Sequence, residues 1–151
     1  MKRLIDLYPY RINPSGQVEF LILLRSASKI YANQWRMIGG KVGENESHWQ
    51  AALRELKEET GLQPVQFWAV PSLNQFYEAE SDQIHHIPVF AAELTISSEP
   101  MLDDEHADFK WIKKGEIQDY IHWPEQQRLM KLISHIIETE TLLAQWLINY
   151  S

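Results

Sequence analysis

The chain has 151 residues, 44% of them hydrophobic and 23% charged, a size at which one compact domain buries a sufficient core without disulfides or a structural metal. It has no cysteine, which excludes thiolate nucleophiles, zinc ribbons and iron–sulfur centres; its 21 acidic against 14 basic residues, a formal charge of −7, oppose non-specific binding to nucleic acid or anionic lipid. The N-terminal segment has no apolar stretch of signal-peptide length and the longest apolar run is Phe20–Leu24. A membrane-spanning helix needs roughly 20 such residues, so a cytoplasmic protein with neither a membrane nor a polynucleotide partner is expected.

Leu4–Ile12 is extended and Tyr-rich, Asn13-Pro14-Ser15-Gly16 is a run of turn formers, and Val18–Leu24 is a second extended run, so the spacing predicts a hairpin. Trp35–Ile38 is a short apolar stretch ending in Gly39-Gly40, and Gly43-Glu44-Asn45 breaks the chain again. From Ser47 to Thr60, Trp49, Ala52, Leu53 and Leu56 recur at helical spacing, and Gly61 sits where a helix stop belongs. After Pro64, strands are predicted at Gln66–Val70, Leu73–Tyr77, Ile84–Thr95 and Phe109–Ile112. Pro124 opens a further helix with Leu129, Leu132, Ile133 and Ile136 on one face, and Leu142, Leu143, Trp146 and Leu147 carry the apolar pattern onward, core or dimer interface. Whether Thr139–Thr141 divides that region stays open. With no repeat or linker, one α+β or layered α/β domain over residues 1–151 is expected.

The chemistry concentrates between Gly40 and Leu62. On a helix turning 100° per residue, Glu58 lies about 60° to one side of Glu55 and Glu59 about 40° to the other. Three carboxylates therefore share a narrow face, with Trp49, Leu53 and Leu56 on the far side. Like charges crowded within a turn destabilise a helix, and a divalent cation relieves them. All-oxygen ligands favour Mg²⁺ or Mn²⁺, and magnesium held this way coordinates substrate phosphates. A solvated acidic face is the competing reading for ELKEE alone. Seven fixed positions, Gly40, Glu46, Arg54, Glu55, Glu58, Glu59 and Gly61, each at roughly one in fifteen, recur by chance on the order of one in a million across all starting points.

Those positions, Gly, five residues, Glu, seven residues, Arg-Glu-Leu-Lys-Glu-Glu-Thr-Gly-Leu, resemble the Nudix box of the Nudix hydrolase superfamily. The likeness extends more loosely to Trp35 and Gly39 before the box and to Asp104-Glu105-His106 with Trp111 beyond it. It implies an α/β/α sandwich with a mixed sheet and metal-dependent hydrolysis of a nucleoside diphosphate linked to another moiety. It further implies that Glu55, Glu58 and Glu59 ligate the metals with the carbonyl of Gly39, that Arg54 orients the carboxylates and pairs with Glu46, and that Gly40 and Gly61 support the site. Glu105 matches a loop glutamate that adds a metal ligand or a base, whereas its neighbour Asp103 has no assigned role.

Arg25 and Lys41 are candidate phosphate contacts, and Phe76 and Tyr77 candidate base-stacking residues with a core role expected for at least one. His85 and His86, adjacent on a strand, point to opposite faces and are not expected to share a metal. The compact length and the approach to the box look most like small nucleoside triphosphate diphosphohydrolases of the dATP and dihydroneopterin triphosphate type, releasing a monophosphate and pyrophosphate. The alternatives are a dinucleoside polyphosphate hydrolase, an ADP-ribose or sugar-nucleotide pyrophosphatase and, from another class, a non-catalytic nucleotide-sensing module. The expected partner is a small nucleotide, and the chain is expected to be a monomer or homodimer.

Overall fold

The alternation of aliphatic and aromatic residues in Leu4–Ile12 and Val18–Arg25 buries both faces of two antiparallel strands, β1 and β2. Asn13 builds the turn between them: its side-chain oxygen accepts from the backbone N–H of Ser15 and Gln17, and Gly16 supplies a φ of 79°. This computed structural model describes residues 2–28 and 32–150.

Beyond the turn the two strands splay. β1 pairs with β2 only from Tyr10 to Ile12; its first half pairs instead with β4 (Ile38–Lys41), while the end of β2 pairs with β3 (Trp35–Arg36). The segment 35–41 thus wedges between the strands, and its two glycines lie beside Ile5 and Asp6. On the other edge of β1 runs β6 (Gln83–Glu93), in parallel, and β5 (Gln66–Glu78) is antiparallel to β6. On the free edge of β2 lies β7 (His106–Lys113), whose first residue pairs with Arg25. The sheet is mixed, as expected.

Each sheet face packs on helices. One face buries Tyr8, Tyr10, Phe20, Ile22 and Trp68 against α2 (Ile117–Tyr120) and against Leu129, Ile133 and Ile136 of α3 (Pro124–Glu138). The other buries Ile5, Leu7, Leu21 and Phe67 against Ala51, Ala52 and Leu56 of α1 (His48–Thr60). Burying a leucine-sized side chain contributes about 1.5–3 kcal/mol, so both helices are anchored by their apolar stripes. Ser47 caps α1 through a reciprocal box with Gln50, and Gly61, at φ 73°, ends it with its N–H on the carbonyl of Lys57. Among the described residues no helix is long and apolar enough to cross a membrane.

Two expectations change. The strands predicted at Gln66–Val70 and Leu73–Tyr77 are one strand with an irregularity: Ala69 pairs with Phe90 but Leu73 pairs with Pro88, so four steps on β5 span two on β6. Pro71, which has no N–H for a ladder, sits in that interruption. The apolar pattern after Thr141 is not a continued helix. Glu140 takes a φ of 55°, and the chain then makes a single 3₁₀ turn at Ala144–Trp146. It runs along β5, where Leu147 bridges Trp68, Ile148 donates to the carbonyl of Phe67 and Trp146 stacks on Trp68. The segment therefore covers a sheet edge and completes the core.

Candidate active site

The rim of the site is organised by Arg54. Its guanidinium grips Glu46 with two bonds, Nε to Oε2 at 2.7 Å and Nη2 to Oε1 at 3.0 Å, while Nη1 reaches Glu55 at 3.0 Å and Glu58 at 3.2 Å. Nη2 also donates to the backbone carbonyl of Lys41, tying α1 to β4. Glu46 accepts the N–H of Gly43 as well; with Arg54 first and Gly43 second, its carboxyl is held below the usual carboxylate range. A Cβ at Gly40 would fall 2.6 Å from the Glu55 carboxyl carbon, so glycine there leaves room for Glu55 in this position. Glu55 therefore lies directly over the strand.

Glu59 has a different environment. It is only 5% exposed, and its Oε2 is buried with no hydrogen-bond partner. Helix geometry explains this: Glu59 follows Leu56 by three residues, or about 60° around the axis, which turns it toward the core rather than the rim. The three carboxylates that spacing sets on one narrow face thus have unequal surroundings: Glu58 projects to solvent, Glu55 is largely covered and Glu59 is inside. Burial first, then the neighbouring Glu55 carboxyl, pushes the Glu59 carboxyl up to about 9.

Beside Glu59 sits a feature missed in the sequence. His106, at the start of β7, places Nε2 3.3 Å from Glu59 Oε1 and Nδ1 2.8 Å from Asp103 Oδ1. Ligand atoms of Glu59, Asp103 and His106 all lie within 4.8 Å of one another, a donor set able to hold a metal ion. Asp103, left without a role above, is thus joined to Glu59 through one imidazole. The three-residue spacing to His106 was the available signal, but only a fold that sets β7 against the end of α1 gives it meaning.

The pairing of Arg25 with His106 brings the end of β2 to the loop before β7. Arg25 Nη1 lies 3.6 Å from Glu105 Oε2, and Ser26 donates to the carbonyls of Glu105 and Asp104. Glu105 is close enough to help raise the Glu59 carboxyl, which puts it on the same side of the molecule as the helix glutamates. Gly39 is exposed beside Asp6. Lys41 contributes its carbonyl to Arg54 while its side chain is exposed.

Tyr77 lies near the end of the β5–β6 hairpin, where its hydroxyl donates to Asp82. Phe76 is half-buried, stacked on His85 at 4.9 Å and edge-on to Trp123. His85 is also 3.4 Å from Glu78, and His86 is exposed, so the two histidines have separate surroundings.

A second buried polar group lies on the α3 side of the sheet. Asp6 is 5% exposed and accepts a 2.8 Å hydrogen bond from Asn74 Nδ2; Asn74 Oδ1 and the Tyr8 hydroxyl are buried without partners. Burial pushes the Asp6 carboxyl up to about 6, with Asn74 and Arg36 acting in the opposite direction. Asp6 reads in the sequence as one polar residue in an apolar strand, and nothing local distinguishes it from a solvent-facing one.

Comparison with known proteins agrees with this architecture. Residues 9–133 match the family profile of the NUDIX domain. The chain is 28% identical over 122 residues to the asymmetrical bis(5'-nucleosyl)-tetraphosphatase of Caenorhabditis elegans, covering 80% of this chain and 86% of that protein. It is also 28% identical over 120 residues to the CTP pyrophosphohydrolase of Escherichia coli K12, covering 78% and 82% respectively. Among solved structures, a C. elegans Ap4A hydrolase in a binary complex superposes with a TM-score of 0.72 at 24% identity, covering 91% of this chain and 99% of that one. A NUDIX hydrolase from Listeria monocytogenes gives 0.78 at 18% identity, covering 94% and 98%. With the box intact, its glutamates gathered on α1 over a splayed mixed sheet, and a profile match across most of its length, the chain belongs to the Nudix hydrolase family and is a Nudix pyrophosphohydrolase.

Proposed function

We propose that this enzyme uses Mg²⁺ or Mn²⁺ to hydrolyse a phosphoric anhydride bond in a nucleoside triphosphate, releasing the monophosphate and pyrophosphate. The observation that supports this most is the buried, unpartnered oxygen of Glu59 next to Glu55, an arrangement costly without a cation and well suited to one. Glu55, Glu58, Glu59, Glu105 and the Gly39 carbonyl are the proposed ligands, an oxygen set appropriate to a hard divalent ion. When bound, the metal neutralises charge on the phosphate oxygens and makes a coordinated water more acidic.

The residues of the chain do the rest. Arg54 holds Glu55 and Glu58 at fixed positions, so little reorganisation is needed when charge develops on the phosphates. Glu105, nearly half exposed, is the proposed acceptor of the attacking water's proton. Arg25 and Lys41 offer positive charge to the polyphosphate. The enzyme acts in the cytoplasm as a monomer or homodimer in this reading.

A second reading, hydrolysis of a dinucleoside tetraphosphate, is favoured by the similarity to the C. elegans tetraphosphatase. A panel of (d)NTPs, dihydroneopterin triphosphate, diadenosine polyphosphates and ADP-ribose, incubated with Mg²⁺ and resolved by chromatography, distinguishes the two. Monophosphate plus pyrophosphate from a triphosphate supports the first. Preferential cleavage of diadenosine tetraphosphate replaces it with the second, and turnover of ADP-ribose alone overturns both.

A further inference from the structure

Glu59 divides its two oxygens. Oε1 faces His106 Nε2 at 3.3 Å, whereas Oε2 is buried without a partner. The imidazole is itself held: its Nδ1 hydrogen-bonds with the Asp103 carboxyl at 2.8 Å, and its side chain is 3% exposed. Asp103 lies on the loop before β7, and His106 is backed by the register of β7 on β2. The chain Asp103–His106–Glu59 therefore runs from a half-buried loop to the inner face of α1.

We infer that His106, fixed by Asp103, is a positioning residue that locks the Glu59 carboxylate so that Oε2 is presented to the metal. The inference rests on the proposed metal-binding role of the α1 glutamates. A glutamate side chain has several rotamers, and freezing one costs free energy that would otherwise be taken from metal affinity. An imidazole anchored through its other nitrogen supplies this rigidity before the cation arrives. Partners that orient a ligand in this way typically change metal affinity by about ten- to a hundredfold when removed. Arg54 performs the corresponding task for Glu55 and Glu58 at the rim. His106, itself buried, does so for Glu59 in the interior.

The test is Mn²⁺ affinity of the full chain, read from the electron paramagnetic resonance signal of free Mn²⁺, with thermal melting alongside. His106→Ala is expected to weaken Mn²⁺ binding by about tenfold or more, His106→Gln to recover part of it through its side-chain amide, and Asp103→Ala to weaken it several-fold. In a Glu59→Gln background, His106→Ala should cause no further loss, because the effect passes through that carboxylate. Unchanged affinity in a folded His106→Ala, or an equal loss with and without Glu59, overturns the inference. Should His106→Ala not fold, Asp103→Ala decides by the same criterion. Nitrogen coupling to bound Mn²⁺ in spin-echo spectra overturns it differently, by making His106 a ligand. If Glu58→Gln and Glu59→Gln leave Mn²⁺ binding unchanged, the metal site itself is wrong, a failure distinct from that of the positioning role.

Discussion

Within one turn of α1, carboxylates of the same box meet two opposite environments. Glu55 and Glu58 share the guanidinium of Arg54, which also grips Glu46, so one positive charge of the protein's own ties the three rim carboxylates together. Glu59 instead faces the His106 imidazole at 3.3 Å; it is buried, its carboxyl is pushed up to about 9, and one oxygen lacks a partner. The rim glutamates are already tied to a guanidinium, whereas the interior one keeps an unpartnered oxygen that suits the proposed cation. A carboxylate's position in a motif does not set its cost; its burial and its counter-charge do.

The sharpest way to break this comparison is to remove the cation. Exhaustive chelation should abolish hydrolysis and excess Mg²⁺ or Mn²⁺ should restore it, and full turnover in EDTA would show that the interior glutamate needs no metal. Next, Glu58→Gln and Glu59→Gln should each lower kcat about a hundredfold or more, by analogy with the loss of one transition-state-stabilising group. Stability should separate the exposed carboxylate from the buried stripe of the helix. Glu58 is 57% exposed, so its replacement should leave metal-free thermal stability nearly unchanged, while Leu56→Ala, from the buried stripe of the same helix, should cost about 2–5 kcal/mol.

Gly40→Ala tests whether rim geometry matters as much as rim charge. The new methyl group must displace the Glu55 carboxyl, so kcat should fall at least tenfold, with about 1–3 kcal/mol lost to overpacking. A variant with normal turnover would mean that Glu55 tolerates movement. Glu105→Gln should have a smaller effect, lowering kcat and kcat/KM together and altering the acidic limb of the pH profile. An unaltered profile would leave Glu105 as a partner of Arg25 only.

The smallest effect on activity, and the cleanest on pH, is expected from Asp6→Asn. Because burial raises the Asp6 carboxyl from 3.8 to about 6, the wild type is relatively stable below 3.8 and loses that stability as pH rises through about 6. Asparagine still accepts from Asn74 but cannot ionise. The metal-free variant should therefore melt higher than the wild type above about pH 6, by on the order of 3 kcal/mol at most, and no higher near pH 4. A gain independent of pH would contradict a buried ionising Asp6.

Much of this was legible from residue order. The hairpin at Asn13–Gly16, the helix bounded by Ser47 and Gly61 and the spacing of the box depend on local turn, cap and periodicity rules, which act over a few residues. Periodicity also placed Leu56 in the core, but it misled after Thr141, where apolar residues pack along an edge strand without helical geometry. It also treated Glu58 and Glu59 as equals, although the core beside Leu56 separates them. The glutamates, their helix and the chemistry they suit follow from the sequence by itself, because ligand type and spacing are local properties. The burial of Glu59, the link from Asp103 through His106, the approach of Glu105 to Arg25 and the Asp6–Asn74 pair were decided only by tertiary structure. They join segments tens of residues apart, and their energies depend on desolvation and distance, which do not exist until β7 is laid against β2 and β5 is brought alongside β6.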